Sequence, residues 1–169
     1  MQRSSFSPTR TPAIGVSSGL RGETAQDQSF YDAARAWAYH LCGTGDKCAI
    51  SDGKASTARF DLLRREALEL ALYTFKYQSS VDTIVTYMPP TVGAVANTAL
   101  FFRRQDVASA LKAPLAETLP PPKTHLLPGQ MSANDLVTVQ EYTGDRIFQY
   151  QFRQLQDGTP VLVLLPLKA

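Results

Sequence analysis

The chemistry that this sequence could carry begins with two cysteines, Cys42 and Cys48, which are the only ones in the chain. Gly43 and Gly45 lie between them, and their conformational freedom lets so short a ring close without strain. The spacing favours a disulfide, which requires an oxidising compartment and contributes roughly 2 kcal/mol for a loop of this length. Free buried thiols are one alternative. A metal site that also recruits His40 is another, although no fourth ligand is evident.

The sequence shows no recognisable group of catalytic residues. His40 and His125 are the only histidines, and we expect both to be structural. His40 would lie at the end of a helix, where the helix dipole favours its charged form, and His125 would lie in a proline-rich segment. No pair of carboxylates is visibly placed with one buried and one exposed, as acid–base pairs require. We therefore expect no catalytic residue and no cofactor.

Aromatic side chains alternate along a predicted strand at residues 146–154. Phe148, Tyr150 and Phe152 would share one face and could form a base-stacking platform of the kind that binds RNA. Alternating aromatic residues more often face a core, and a net charge of +2 is too small to argue for a partner rich in phosphate groups. We therefore expect a core face here and no nucleic-acid partner.

Two phenylalanines followed by two arginines end another predicted strand. Consecutive strand residues point to opposite faces, so Phe101 and Phe102 cannot both face the same core. One of them faces away from that core and must be shielded from water by other residues, which a partner protein could supply. The sequence therefore indicates a candidate interaction surface at Phe101, Phe102, Arg103 and Arg104.

The elements that would position these residues follow from apolar periodicity and turn residues. Helices are expected at residues 24–41, 56–77 and 107–112, and a proline-rich connector at 119–129. Strands are expected at residues 81–88, 98–103, 136–142, 146–154 and 161–167. The resulting order is α-α-β-β-α-β-β-β, with two N-terminal helices. It predicts an α+β fold in which a mostly antiparallel sheet of about five strands carries the long helix on one face.

The chain is expected to be one domain, residues 23–169, behind a flexible leader at 1–22 that is rich in Ser, Pro and Thr. The leader lacks the apolar core of a signal peptide, and no stretch reaches the roughly 18 apolar residues of a membrane-spanning helix. We therefore expect no membrane insertion by this chain. Such a leader fits a tether in a secreted or membrane-anchored protein and also a cytoplasmic chain.

Three classes of function fit these features. The favoured class, based on the predicted disulfide, is a non-catalytic extracytoplasmic interaction or assembly domain that binds another protein or itself. The second is a small-molecule-binding or enzymatic domain with its site under the connector, where His125 or Glu141 would be the titratable group. The third is a nucleic-acid-binding module that uses the aromatic strand.

Overall fold

A mixed sheet of seven strands organises the chain. The computed structural model describes residues 13–17, 28–122 and 125–167. Within them the strands are β1 (Ala13–Ser17), β2 (Gln28–Asp32), β3 (Ala36–His40), β4 (Thr83–Tyr87), β5 (Thr98–Arg103), β6 (Ile147–Gln154) and β7 (Pro160–Pro166). Their order across the sheet is β2-β1-β7-β6-β5-β4-β3. β1 is parallel to β7 and β3 to β4, and the other neighbours are antiparallel.

The described residues also form α1 (Thr57–Tyr77), α2 (Leu115–Thr118) and α3 (Ala133–Thr143). Serine side chains cap the two longer helices. The Ser56 hydroxyl accepts a hydrogen bond from the Arg59 amide at 3.2 Å, and the Ser132 hydroxyl accepts one from the Asp135 amide at 3.1 Å. Each bond satisfies an amide that has no partner within its helix, so each helix begins where its cap stands.

The two edge strands of the sheet, β2 and β3, are joined by only three residues, Ala33–Arg35. In a flat sheet of seven strands the edges would lie about 29 Å apart, whereas the Cα atoms of Asp32 and Ala36 cannot be more than about 15 Å apart. The sheet must therefore roll until its edges meet. The ring of Tyr31 on β2 indeed lies 5.1 Å from that of Phe101 on β5, between centroids.

Rolling the sheet creates two separate cores. Val85 and Phe101 point to the inside of the roll, where they pack with apolar residues of β1, β6 and β7. Ile84 and Phe102, their neighbours in sequence, point outward and pack with α1 and α3. This follows from the alternation of side chains along a strand. All five residues of β4 are buried because that strand has a core on each face.

The prediction of two N-terminal helices and a mostly antiparallel sheet of five strands is wrong. Residues 28–40, which belong to the predicted first helix, form β2, a short 3₁₀ turn and β3. The apolar spacing at Phe30, Ala34 and Trp37 is compatible with a helix, but strand pairing with β1 and β4 overrides that local preference. Phe30 is largely exposed and Trp37 packs toward α1, so the predicted stripe does not share one face.

Three further segments differ from the sequence prediction. Residues 136–142, predicted as a strand, lie in α3, whose Ser132 cap starts a helix that buries only one side. Residues 107–112 form 3₁₀ turns rather than a helix. Part of the predicted leader, Ala13–Ser17, is strand β1, and residues 1–12 and 18–22 lie outside the described residues. The long helix and the strands predicted at 81–88, 98–103, 146–154 and 161–167 are present with small shifts of their ends.

Alanine substitutions of two phenylalanines test this assignment of faces. Phe102→Ala should lower the free energy of unfolding by about 3–5 kcal/mol, because it leaves a cavity in the helix-side core. Phe152→Ala, the matched control on β6, should lower it by at most about 1 kcal/mol, because 63% of that side chain is exposed. Urea denaturation followed by circular dichroism measures both values. Equal losses would contradict the rolled arrangement.

Candidate functional site

Large apolar side chains are exposed at one end of the sheet, which we call the apolar end. Loop residues between β4 and β5 and the β6–β7 hairpin supply them, and β4 and β6 both run toward this end. The Tyr150 amide donates to the Asn97 carbonyl at 2.8 Å, which places the β4–β5 loop beside β6. The exposed side chains are Val92 (69%), Val95 (86%), Phe152 (63%) and Leu155 (47%). Apolar residues grouped in this way are typical of a contact surface.

A disulfide loop follows β3 at the same end. The sulfurs of Cys42 and Cys48 lie 2.02 Å apart, at bonding distance, which agrees with the predicted pairing. A methyl group on Gly43 would lie 2.2 Å from the carbonyl oxygen of Ala49, so only glycine fits at that position. Because both sulfurs are bonded, neither is a free thiolate for the metal site considered with His40.

The disulfide loop is attached to the base of the β4–β5 loop. The Leu41 amide donates to the Tyr87 carbonyl at 3.0 Å, and the Ile50 amide donates to the Pro90 carbonyl at 2.9 Å. Residues just before and just after the ring are therefore both hydrogen-bonded to the segment that leads into Val92. The disulfide ring thus restrains the β4–β5 loop, which lies outside the hydrogen-bonded sheet.

Four aromatic rings form a cluster at the apolar end, and Phe152 belongs to both groups. The ring of Tyr87 lies 4.4 Å from that of His40 and 4.8 Å from that of Tyr150, and Phe152 lies 5.8 Å from Tyr150, between centroids. Ala99, the β5 partner of Tyr87, is small enough for rings from neighbouring strands to meet across it. The rings contact one another directly, so they form a packed cluster rather than a cage for a ligand.

The titratable groups of this cluster are kept uncharged near neutral pH. Burial raises the pKa of Tyr87, with a further contribution from Tyr150, and burial also raises the pKa of Tyr150. Burial lowers the pKa of His40 below 6.5. Desolvation disfavours the charged form in each case. The rings that pack at the apolar end are therefore uncharged.

The residues predicted as an interaction surface divide between two buried phenylalanines and two partly buried arginines. Phe101 and Phe102 are both buried, one in each core. Arg103 forms an ion pair with Asp106 at 2.6 Å. Burial alone would raise the pKa of Asp106, but the hydrogen bonds from Arg103 hold it below its usual value. Arg104 donates to the backbone carbonyls of Phe75 and Gln78 at the end of α1 and to that of Val81 in the segment before β4.

The aromatic row on β6 divides between the core and the surface. Phe148 and Tyr150 are partly buried among the inner core residues, and only Phe152 is exposed. A base-stacking platform requires several accessible rings on one face. The arrangement of this row supports a core role for its first two members, as expected from the sequence, and places the third at the apolar end.

A second candidate site is an open groove between α1 and the connector, with a volume of about 820 Å³. Leu62, Leu63 and Glu66 line it from α1, and His125 and Leu126 line it from the connector. Small-molecule sites commonly have volumes of about 300–1,000 Å³ and mostly apolar walls. The groove therefore has the size of a ligand site, in the region of the second functional hypothesis. Glu141, the other titratable residue of that hypothesis, is exposed on α3 and does not line it.

A buried arginine holds the connector against α1 beside this groove. The Arg65 guanidinium donates to the Pro120 carbonyl at 2.7 Å and pairs with the Glu69 carboxylate at 2.9 Å. Its Nε lies 3.5 Å from a carboxylate oxygen of Asp135 on α3. Buried charges are stable only when they are paired and hydrogen-bonded in this way. One side chain thus fixes three segments around one wall of the groove.

Comparisons with known proteins add no functional information. No protein-family model matches the chain, and it has no detectable similarity to curated proteins or to solved structures. Among the described residues, no group of three or more His, Cys, Asp and Glu side chains could hold a metal ion. Within that part of the chain, no helix combines the length and apolar character needed to cross a bilayer.

The apolar end was missed by sequence reasoning, although a signal for it exists. Val92 and Val95 lie between Pro90 and Asn97 in a stretch of small and turn-forming residues. Turn segments are usually polar, so two valines in such a loop are unusual and could have been noted. Phe152 could not have been separated from Phe148, because alternation along β6 assigns both to the same face. Only the length by which β6 extends beyond β5 distinguishes them.

Reduction of the disulfide should lower the free energy of unfolding by about 2 kcal/mol, because it removes a constraint on the unfolded chain. Guanidinium denaturation with and without a phosphine reductant measures the difference. The Cys42→Ser/Cys48→Ser variant is the control and should have the same stability in both conditions. Identical curves for the native sequence in both conditions would show that the ring does not brace the fold.

Proposed function

We propose that this chain is a non-catalytic, extracytoplasmic protein-binding domain whose partner contacts the apolar end. The observation that carries the proposal is the exposure of Val92, Val95, Phe152 and Leu155 at one end of a rolled sheet. Protein interfaces commonly centre on aromatic and aliphatic side chains that become fully buried on binding. Phe152, supported from beneath by Tyr150, is the side chain most suited to that central position.

The loops around the apolar end are conformationally restrained, which also supports a binding role. A loop that is already restrained loses less conformational entropy when it binds than a freely moving loop does. The disulfide ring and the Ile50–Pro90 hydrogen bond restrain the base of the β4–β5 loop before any partner arrives. We infer that the ring serves to hold Val92 and Val95 in place for contact.

The proposed extracytoplasmic location rests on the disulfide. Thiols are kept reduced in most cytoplasmic compartments, and disulfides persist in oxidising ones. A ring closed between Cys42 and Cys48 is therefore most useful to a protein that works outside the cytoplasm. The partner can be a different protein or a second copy of this chain.

Site-specific cross-linking in the cells that naturally produce the chain tests the proposed surface. A benzophenone side chain placed at position 152 or 95 should yield a defined adduct, whose mass identifies either a partner or a second copy. The matched control is position 137 on α3, because Val137 is also an exposed apolar residue, with 67% of its side chain accessible. That position should yield no such adduct.

Substitution of the same residues should weaken the association. Phe152→Ser should reduce recovery of the cross-linked partner at least about tenfold, as expected for a central interface residue. Val137→Ser should leave recovery unchanged. The proposal is wrong if position 137 gives the same adducts as position 152, or if no adduct forms at positions 95 and 152.

The proposed location has its own test. Protein isolated from its native cells, with free thiols blocked during lysis, should show no alkylated cysteine by intact mass. After reduction, both Cys42 and Cys48 should be alkylated, because the disulfide is the only pairing available to them. Full alkylation before reduction would place the protein in a reducing compartment and overturn the location.

A further inference from the structure

The last residues of β6 are paired on one side only. β6 pairs with β7 over residues 148–154 but with β5 only over residues 147–149. The Tyr150 amide makes one further bond on the β5 side, to the Asn97 carbonyl. Beyond that bond, no described residue pairs with β6 on this side. Residues 151–154, which we call the free edge, therefore continue past the end of β5.

The unpaired backbone groups of the free edge belong to Phe152 and Gln154. In a strand, the backbone groups of successive residues point alternately to the two neighbouring strands. The Tyr150 amide bonds on the β5 side, and the Leu155 amide bonds on the β7 side, to the Thr159 carbonyl. Phe152 and Gln154 therefore direct their N–H and C=O groups to the side on which β5 has ended. Neither residue has a backbone partner there among the described residues.

The surroundings of the free edge leave it accessible. The side chains of residues 151–154 are all exposed, so neither face of the free edge is covered. The β4–β5 loop is held at its start toward β3, on the far side of β4, because the Pro90 carbonyl accepts from the Ile50 amide. Strands pair at a spacing of about 4.8 Å, so an additional strand would lie directly beside Phe152. Unpaired edges of this kind are templates for pairing with another chain.

Arg153 makes a second copy of this chain a poor occupant of the free edge. Two copies that pair antiparallel through all these backbone groups would place Phe152 of one copy opposite Gln154 of the other. Arg153 would then lie directly opposite its own counterpart, with the two Cα atoms about 4.5 Å apart. Like charges in that position are destabilising. The free edge therefore favours a different protein over self-association.

The same arginine indicates the charge of that partner. The Arg153 guanidinium donates to the side-chain oxygen of Gln151 at 2.8 Å, and no carboxylate forms an ion pair with it in the described part of the chain. Asp157, in the hairpin turn, accepts hydrogen bonds from the Thr159 amide at 2.9 Å and hydroxyl at 2.8 Å. An acidic side chain beside Arg153 would gain a charge-assisted hydrogen bond. On the opposite face, an apolar side chain would cover Phe152.

We propose that the partner adds a strand to β6, using an extended segment in which apolar and acidic residues alternate. Phe152 and Gln154 supply the backbone hydrogen bonds to this strand. Backbone pairing gives affinity in this mode of recognition, and the alternating side chains give specificity. Arg153 selects acidic residues on one face, and Phe152 selects an apolar residue on the other. This inference rests on the proposed function and specifies the kind of partner that the apolar end accepts.

Amide hydrogen exchange measured by nuclear magnetic resonance tests the added strand. A synthetic peptide of alternating glutamate and valine should bind the full chain saturably and slow exchange of the amides at positions 152 and 154 at least about tenfold, because both become hydrogen-bonded donors. Contact through side chains alone would leave these rates unchanged. The same peptide with N-methylated backbone amides should not bind. A peptide of alternating lysine and valine should bind at least about tenfold more weakly.

Two pairs of variants separate backbone pairing from charge. Gln154→Pro removes a donor that points away from β7, so the β6–β7 ladder remains and peptide binding is lost. Gln154→Ala keeps that donor and should bind as the native sequence does. Arg153→Glu should weaken binding of the glutamate–valine peptide at least about tenfold. Lys112→Glu makes the same charge change at an exposed position outside the sheet and should leave affinity unchanged. If Gln154→Pro destabilises the fold, the N-methylated peptide makes the same comparison.

Several results would overturn the added strand. They are exchange rates at positions 152 and 154 that the peptide does not change, equal affinity for the lysine–valine peptide, and unchanged affinity in Gln154→Pro. Binding that appears only after residues 2–12 are deleted would identify this chain's own N-terminal segment as the occupant and would also overturn it. Failure of the proposed function is distinguishable, because it is the absence of adducts at positions 95 and 152 in native cells. Adducts recovered equally from Gln154→Pro and Gln154→Ala chains would overturn the added strand alone.

Discussion

The short turn between β2 and β3 is the constraint on which the rest of the structure depends. Three residues join the two edges of the sheet, so a flat arrangement is excluded and the sheet has to roll. The turn is stabilised locally: the side chain of Asp32 accepts a hydrogen bond from the Ala34 amide at 2.8 Å, and the Asp82 amide donates to the Arg35 carbonyl at 2.8 Å. The side chain of Arg35 also forms an ion pair with that of Asp82, just before β4. The edge connection is thus fixed to the strand beside it.

Rolling determines which parts of the sheet can present apolar surface. The inside of the roll and the face under α1 are filled by the two cores, and the ring cluster around Tyr87 packs at one end of the inner core. The β4–β5 loop and the β6–β7 hairpin lie at that end, and Val92, Val95, Phe152 and Leu155 remain exposed there. Their apolar side chains are therefore exposed as a consequence of topology. The disulfide acts at the place where the hydrogen-bonded sheet ends and a covalent restraint is most useful.

Sequence patterns correctly predicted the elements that have strong local signals. They failed where pairing with strands distant in sequence determines the secondary structure of a segment. The helix at Thr57–Tyr77 has both a serine cap and a wide apolar stripe, and it was predicted to within a residue. The segment at 28–40 has helical spacing but lies in two strands, because pairing with β1 and β4 is a long-range interaction that local spacing cannot report. The disulfide was the favoured of three alternatives, on the spacing of Cys42 and Cys48 and the glycines between them. From the sequence, only the region of the groove could be predicted, because its shape depends on how Arg65 attaches Pro120 to α1.

The two candidate sites differ in how the fold supports them. The groove has one wall on a long helix and the other attached to it by a buried guanidinium, so its shape depends on packing. The apolar end lies mostly on connections, with Phe152 at the end of β6, and connections tolerate substitution better than packed elements do. Substitutions in the exposed β4–β5 loop can therefore change the apolar end without loss of the fold. Removal of Arg65, in contrast, would leave Glu69 and Asp135 without their shared partner and affect α1, α3 and the connector together. In a rolled sheet of this kind, the loops at the open end can therefore vary in sequence, while the residues that shape the helix-side groove are constrained by their packing.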